Sequence, residues 1–396
     1  MKTALLRRGI SSICQEKPTK SLITTPIFYV NGDPHVGQIY SAVLGDAAHR
    51  WTLLKAGKDA DLSKFKLTTG VDEHGAKVQS AASLAGVEPQ QYVDQNSAKF
   101  QEAFQKFGIL NTDFIRTTDE RHKKAVTSLW DTLKSNGHIE KANFEGWYSP
   151  IDECYYTEKE VEKVNIDDGV EVMISKETKN PVEFITEENY MFNIGKFQQP
   201  VRDWLNSGAL RPNNFLPSAL TSLRSNEKLS VSRDAKKVSW GIPVPGDSSQ
   251  TVYIWMDALV SYLTAAGYPN QSSKDLLPPD VQIIGKDILK FHAVYWPAFL
   301  LAADLPLPKK IFVHSNWLIN GQKMSQSYGN ALDAEDASEV LTCEGLRYFF
   351  LRQGKPHDDG TVVGIPIVEG LRGLAPGITE ARRFSLAASI TSCCCP

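Results

Sequence analysis

Two stretches of this chain alternate apolar strand-like runs with segments of helical period, and a stretch of different texture separates them. Residues 22–30, LITTPIFYV, form a β-branched apolar run. Directly after it, Ile39, Val43, Ala47, Trp51 and Leu54 recur at helical spacing over residues 37–54, so a strand feeds a helix. Residues 65–71 read as a second strand, followed by helical patterns over 76–84 and 90–107 and a further helix capped by Thr118. Alternation of this kind predicts a parallel sheet. From about residue 138 to 200 it gives way to short aromatic pieces between charged stretches such as EKEVEK and ISKETKNPVEF, which reads as an inserted domain. After a connective region over 201–247, VYIWMDAL, VQIIGKD, FHAVYWPAFLLAADL and KKIFVHSNW restore the pattern. The sheet is interrupted and then resumed.

With 396 residues, 42% of them hydrophobic and 22% charged, the chain can bury an enzyme-sized core in two or three domains. A formal net charge of −3 excludes a surface basic throughout and leaves room only for a local basic track. No apolar run of 18 residues occurs, so no membrane span is expected. The cysteines are Cys14, Cys154, Cys343, Cys393, Cys394 and Cys395. No C-x-x-C pair occurs among them, which points to a reducing compartment with neither a disulfide framework nor a zinc knuckle. Residues 1–20 carry Lys2, Arg7, Arg8, Lys17 and Lys20 against the single acid Glu16. Composition leaves two readings open there, an organellar transit peptide and a disordered basic arm. Residues 360–396 lose amphipathic order and end ITSCCCP. They read as an aberrant or disordered tail of frameshift, intron or splicing origin, since three adjacent cysteines lack metal-ligand spacing.

Two segments have the composition of a phosphate site. The first strand ends in Asn31-Gly32-Asp33-Pro34-His35-Val36-Gly37-Gln38 with a helix following at once. In a doubly wound sheet this is where a helix N-terminus offers N–H groups to phosphate; Gly32 and Gly37 permit close approach, and His35 can donate to a phosphate oxygen. Taken alone, that segment fits a plain structural turn better than a phosphate site. Far downstream, residues 315–327, SNWLINGQKMSQS, place Lys323, Ser325 and Ser327 on a glycine-containing loop after a strand. Such a loop can bring positive charge and hydrogen bonds to a phosphorus centre as pyrophosphate departs. The two segments flank the insertion and each follows a strand, so they reinforce one another.

HVGQ resembles the HIGH signature, and KMSQS the KMSKS signature, of class I aminoacyl-tRNA synthetases. TTPIFYVNGDPHVGQIYSA, TTGVDEHGAKVQ, EGWYSPIDECYYTEKEV, EENYMFNIGKFQQPVRDWL, LSVSRDAKKVSWGIPVPGD, VYIWMDALVSYLT and IIGKDILKFHAVYWPAFL resemble the methionyl-tRNA synthetases in their zinc-free bacterial and mitochondrial form. The resemblance runs over roughly residues 21–357. It implies an α/β fold with a doubly wound, Rossmann-like parallel sheet interrupted by a connective insertion. The implied division is a transit segment (1–20), the first half of the catalytic domain (21–137), the insertion (138–200), the second half with the KMSKS-like loop (201–330), the start of a linking helical region (331–359) and the tail (360–396). A helical anticodon-binding bundle would normally follow and is expected to be missing.

The resemblance further implies a ligase that activates methionine with ATP and transfers it to tRNA(Met) in the mitochondrial matrix, as a monomer with no membrane partner. Magnesium would accompany ATP, and no zinc is expected. The implied methionine slot is Pro26, Tyr29, Trp255, Ala258, Tyr262 and His292, with Asp72 facing the amino group. An unbranched thioether suits an aromatic slot, and its ammonium needs a carboxylate. His35, Gly37, Gln38, Gly285, Asp287 and Lys323 would hold ATP, with Lys286 beside the ribose, while His35, Lys323, Ser325 and Ser327 would serve the chemistry. Arg233 would pair with an acid of the pocket. Two departures stand out: Gln38 where the family has a second histidine, and Gln326 where KMSKS has its second lysine, the latter implying slower activation. The alternatives are another class I synthetase, such as the leucine or cysteine form, a related adenylyltransferase, and a truncated, weakly active or inactive splice or mis-predicted product that retains nucleotide binding. Apolar Leu346, Phe349, Phe350 and Leu351 are expected to be exposed on the last helix, facing the absent bundle.

Overall fold

The computed structural model describes residues 17–166, 170–223, 228–319, 321–324 and 331–361. In chain order, β1 (Ser21–Tyr29) leads into α1 (Val36–Ala56), β2 (Phe65–Asp72) into α2 (Ala76–Ala85) and α3 (Pro89–Lys106), and β3 (Asp113–Arg116) into α4 (Glu120–Ser135). Strands β4 (Ile139–Ser149), β5 (Cys154–Tyr156), β6 (Val161–Ile166), β7 (Val170–Ser175) and β8 (Glu183–Phe192) follow. Helix α5 (Gln198–Trp204), β9 (Leu210–Arg211) and α6 (Leu216–Leu223) precede the short strands β10 (Leu229–Ser230), β11 (Ser232–Asp234), β12 (Pro243–Val244) and β13 (Asp247–Val252). Then come α7 (Ile254–Ala266), β14 (Val281–Gly285), α8 (Trp296–Ala302), β15 (Ile311–His314), β16 (Trp317–Ile319), β17 (Gln322–Lys323), α9 (Ala334–Leu341), α10 (Cys343–Gln353) and β18 (Gly360–Thr361).

Six strands form one sheet in the order β3-β2-β1-β14-β15-β9, and every neighbouring pair is parallel. From β1 the chain steps outward to β2 and β3. The resumed half steps the opposite way, from β14 to β15. The sheet is therefore doubly wound, with its switch point between β1 and β14, and a crevice opens beyond their carboxyl ends. Both faces are covered: the adjacent residues Leu22 and Ile23, like Ile284 and Ile283, enter different core clusters because successive strand side chains point to opposite faces. Trp130, Phe192, Trp296 and Phe299 fill one cluster and Phe100, Phe104 and Leu67 the other. Each such side chain contributes roughly 1.5–3 kcal/mol relative to an exposed one.

Pro26 lies inside β1, where a residue without an N–H interrupts a ladder. The register between β1 and β2 shifts between Thr24 and Ile27, which takes Pro26 out of the pairing. Gly45 lets α1 lie against that strand, since a Cβ there would come within 2.7 Å of Thr25 Cγ2.

The segment between the two halves builds antiparallel sheets: β10-β8-β4-β5, the β6–β7 ribbon, and β11-β13-β12. The first takes its edge strand β10 from beyond residue 200.

Two local expectations are corrected. Helix α4 has Asp119, not Thr118, at its N-cap; Thr118 donates its hydroxyl to Glu73 instead. Trp51 and Leu54 continue the helical period of α1, as expected, on its exposed side. On α10, Leu346 and Phe350 are buried, with Phe350 against Tyr40 and Trp317, contrary to the expectation that this face is exposed; Leu351 is 46% exposed. The residues before Lys17, expected to belong to a transit segment, the tail after residue 361 with its three cysteines, and Ser325, Gln326 and Ser327 lie outside the described residues. Among the described cysteines, Cys154 and Cys343 are free thiols.

Candidate active site

Beyond the switch point lies a cavity of about 390 Å³. It gathers Pro26, Tyr29, His35, Gly37, Gln38, Asp72, Trp255, Ala258, Tyr262, Gly285, Asp287 and His292 around one space, although residues 26 and 292 are far apart in the chain. Of the expected residues, Lys323 is described through its backbone alone, paired with Leu318 at the edge of β16.

One end of the cavity is the start of α1. His35 is the N-cap, and its Nδ1 accepts the Gly37 N–H at 3.2 Å, while Gln38 Oε1 accepts the His35 N–H at 3.0 Å. This is a reciprocal capping box. A neutral imidazole accepting at Nδ1 carries its hydrogen on Nε2, the form that donates to an anion. Gln38 suits this arrangement because its amide has both an acceptor and a donor. Asp333 forms a β-bridge with His35, Val36 donates to the Leu332 carbonyl at 3.0 Å and Ala334 to that of Pro34 at 3.1 Å. Met324 is buried in the cavity wall. The described residues that follow the KMSQS segment are thus fastened at the HVGQ end.

The opposite end is aromatic. Helix α7 presents Trp255, Ala258, Leu259 and Tyr262 to the cavity, the spacing of one helical face. Trp255 stacks on Phe291 with centroids 3.5 Å apart. Tyr262 Oη donates to His292 Nε2 at 2.6 Å, and His292 Nδ1 donates to the Ile288 carbonyl at 2.9 Å. Burial holds the His292 pKa down at about 4, so the ring is neutral at physiological pH.

Asp72, at the carboxyl end of β2, is buried and its Oδ1 has no hydrogen-bond partner. Burial, then the charges of Asp257 and Glu153, push its carboxyl well above the usual carboxylate range. The carboxyl also takes a backbone hydrogen bond from His74, and a ligand cation beside the open Oδ1 would favour its ionised form. Behind it, Asp257 accepts from His74 Nδ1 at 2.7 Å and from His122 Nε2 at 2.8 Å. Burial opposes its ionisation, but the two imidazoles hold its pKa at about 2.

On the resumed side, Asn316 Nδ2 donates to both carboxylate oxygens of Asp287 at 3.0 and 3.1 Å, and Lys286 pairs with Asp359 at 2.6 Å. Arg233 reaches Glu187 of β8 at 3.1 and 3.3 Å and lies 4.0 Å over the Tyr148 ring. Its partner is an acid of the inserted sheet, which corrects the expected pairing with an acid of the pocket. The sequence reading passed over His314, Glu153 and Lys77, which also line the cavity. His314 ends a strand on the crevice side, a position that might have been flagged; nothing in the local sequence marks Glu153, which arrives from the insertion.

Residues 21–365 match the family model described as tRNA synthetases class I (M). The chain belongs to that family. This class I synthetase chain is 48% identical to the mitochondrial methionine–tRNA ligase of Homo sapiens over 343 residues, 86% of the chain and 57% of that relative. It is 43% identical to the probable mitochondrial methionine–tRNA ligase of Dictyostelium discoideum over 371 residues, 90% of the chain and 63% of that relative. The synthetase chain thus spans less than two thirds of the length of these curated relatives. Its fold superposes on the Mycobacterium tuberculosis methionyl-tRNA synthetase in complex with methionyl-adenylate with a TM-score of 0.80 at 35% identity, covering 90% of this chain and 69% of that one. Against the apo form of that enzyme the TM-score is 0.69 at 30% identity, covering 91% and 67%.

Proposed function

We propose that this chain activates methionine with ATP and passes the methionyl group to tRNA(Met), serving translation in the mitochondrial matrix. The observation that carries the reading is the cavity itself, which brings a buried carboxyl with an open Oδ1, an aromatic slot and a capped helix N-terminus around one space. Methionine's thioether lies in the slot of Trp255, Ala258, Tyr262, His292, Pro26 and Tyr29, and its ammonium on Asp72. The polar pair Tyr262–His292 is satisfied internally, while Trp255 Nε1 is buried without a hydrogen-bond partner.

Activation is an in-line displacement. A carboxylate oxygen of methionine bonds to the α-phosphorus, the bond to the β-phosphate bridge breaks, and pyrophosphate leaves. The chain contributes alignment and charge. His35 Nε2–H and the α1 N-terminus face the phosphates, Lys323 with Ser325 and Ser327 covers the departing pyrophosphate, and Gly285 and Asp287 hold the ribose. The terminal adenosine of tRNA then attacks the adenylate carbonyl and AMP leaves. Among the described residues no group of three or more His, Cys, Asp or Glu forms a metal cage, so magnesium would arrive with the ATP phosphates and their water.

Support comes also from the names of the relatives, which are mitochondrial methionine–tRNA ligases. We place the catalytic halves at 21–137 and 201–330 with the insertion between them. ATP–pyrophosphate exchange across a panel of amino acids tests the reading: methionine is expected to drive exchange, and exchange driven by leucine or cysteine instead overturns it.

A further inference from the structure

Glu153 belongs to the turn between β4 and β5 of the antiparallel sheet, yet it is buried at the wall of the cavity. Its backbone is left-handed, with φ of 49°, an uncommon conformation for a residue with a long side chain. Its neighbour Asp152, also at the cavity wall, accepts from Tyr156 Oη at 2.8 Å, Thr178 Oγ1 at 2.6 Å and Asn180 Nδ2 at 2.7 Å. One carboxylate of the turn therefore fastens it to the inserted sheet, and the next crosses into the catalytic fold.

There Glu153 touches three elements that line the cavity. Its Oε2 accepts from Tyr29 Oη at 2.7 Å, at the end of β1. Its Oε1 accepts the N–H groups of Ala76 and Lys77 at 2.7 and 3.2 Å, at the start of α2. Its carbonyl accepts from Tyr253 Oη at 2.6 Å, at the N-cap of α7. Helix α2 has no side-chain cap of its own, because its N-cap is Gly75; the carboxylate from the insertion supplies what is missing. Gly75 is required for this approach. Its φ is 103°, and a Cβ there would lie 2.5 Å from Tyr29 Oη and 3.1 Å from Glu153 Oε1.

We infer that Glu153 is a positioning residue that sets the methionine slot from the inserted sheet, by fixing Tyr29, the start of α2 beside Asp72, and the N-cap of α7 through one side chain and one carbonyl. The role rests on the methionine-activation reading. The slot's width then depends on the seating of the insertion, and Glu153 selects for methionine without touching the reacting atoms.

The test compares Glu153→Gly and Glu153→Gln with the intact parent chain in methionine-dependent ATP–pyrophosphate exchange. Glycine removes the carboxylate and accepts the left-handed backbone. It is expected to raise the methionine KM roughly tenfold or more while the ATP KM stays within about twofold of the parent's, a split that general loosening does not produce. Glutamine is expected to restore most of the methionine KM: its carbonyl can accept from Ala76, and its amide can donate to Tyr29 Oη, whose hydrogen then goes to the His74 carbonyl that already lies 3.0 Å away. Equal rises in both KM values, no change in either, or failure of glutamine to recover function overturns the positioning role. A parent chain with no methionine-dependent exchange overturns the functional reading, and this role with it.

Discussion

Tyr262 Oη and His292 Nε2 are 2.6 Å apart, and the other ring nitrogen is committed to the Ile288 carbonyl. The hydrogen on Nδ1 thus dictates that Nε2 accepts, and the tyrosine hydroxyl is held in one orientation at the wall of the slot. Tyr262→Phe leaves a buried acceptor without a donor, which costs roughly 1–3 kcal/mol. Urea unfolding is expected to show that loss, and calorimetry a weaker methionine affinity with ATP affinity less affected.

Acidification from neutral pH is expected to weaken the fold through its buried histidines. The pKa of His292 is about 4 when folded against 6.5 for an ordinary histidine, so the unfolded chain binds a proton that the folded chain refuses. Stability is therefore full above about pH 6.5 and declines as pH falls toward 4, by on the order of 3 kcal/mol from this group. His314, lowered by burial, acts in the same direction. Denaturant midpoints measured from pH 7 to 4 for the parent and His292→Asn give the contribution; identical slopes would remove His292 from the account.

Asp257 is the buried centre of a His74–Asp257–His122 arrangement. Removing one partner of such a group leaves the others without compensation, at a cost of about 3–5 kcal/mol. Asp257→Asn is expected to lower the unfolding midpoint accordingly. A midpoint unchanged within error would show that the histidines find other partners.

Trp255→Ala removes an indole stacked on Phe291 at the mouth of the slot. Its methionine affinity is expected to fall by roughly 10- to 100-fold and by more than its ATP affinity. The reverse order, read by equilibrium binding of each ligand alone, would count against the slot assignment.

Lys323→Ala is expected to slow pyrophosphate exchange by about 100-fold or more with little change in methionine affinity, as for a contact made mainly in the transition state. Gln326→Lys, restoring the charge the family carries there, is expected to accelerate it. Pre-steady-state measurement of adenylate formation separates both from binding effects.

Local chemistry in the sequence determined a large part of this protein. The two alternating stretches, the strand-to-helix junction at His35 and the face of α7 carrying Trp255, Ala258 and Tyr262 follow from periods of 2 and 3.6 and from order along the chain. Those are properties of neighbouring residues, and they survive in the fold. What only the tertiary structure decided involves partners remote in sequence. Arg233 pairs with Glu187 of the insertion rather than with an acid of the pocket, and Asp257 gathers histidines from two other elements. Leu346 and Phe350 on α10 are buried rather than bare, and Glu153 reaches from the inserted sheet to Tyr29. A side chain's charge and size are written in the sequence; which buried space it enters, and what it must satisfy there, is fixed when the sheet halves and the insertion pack together.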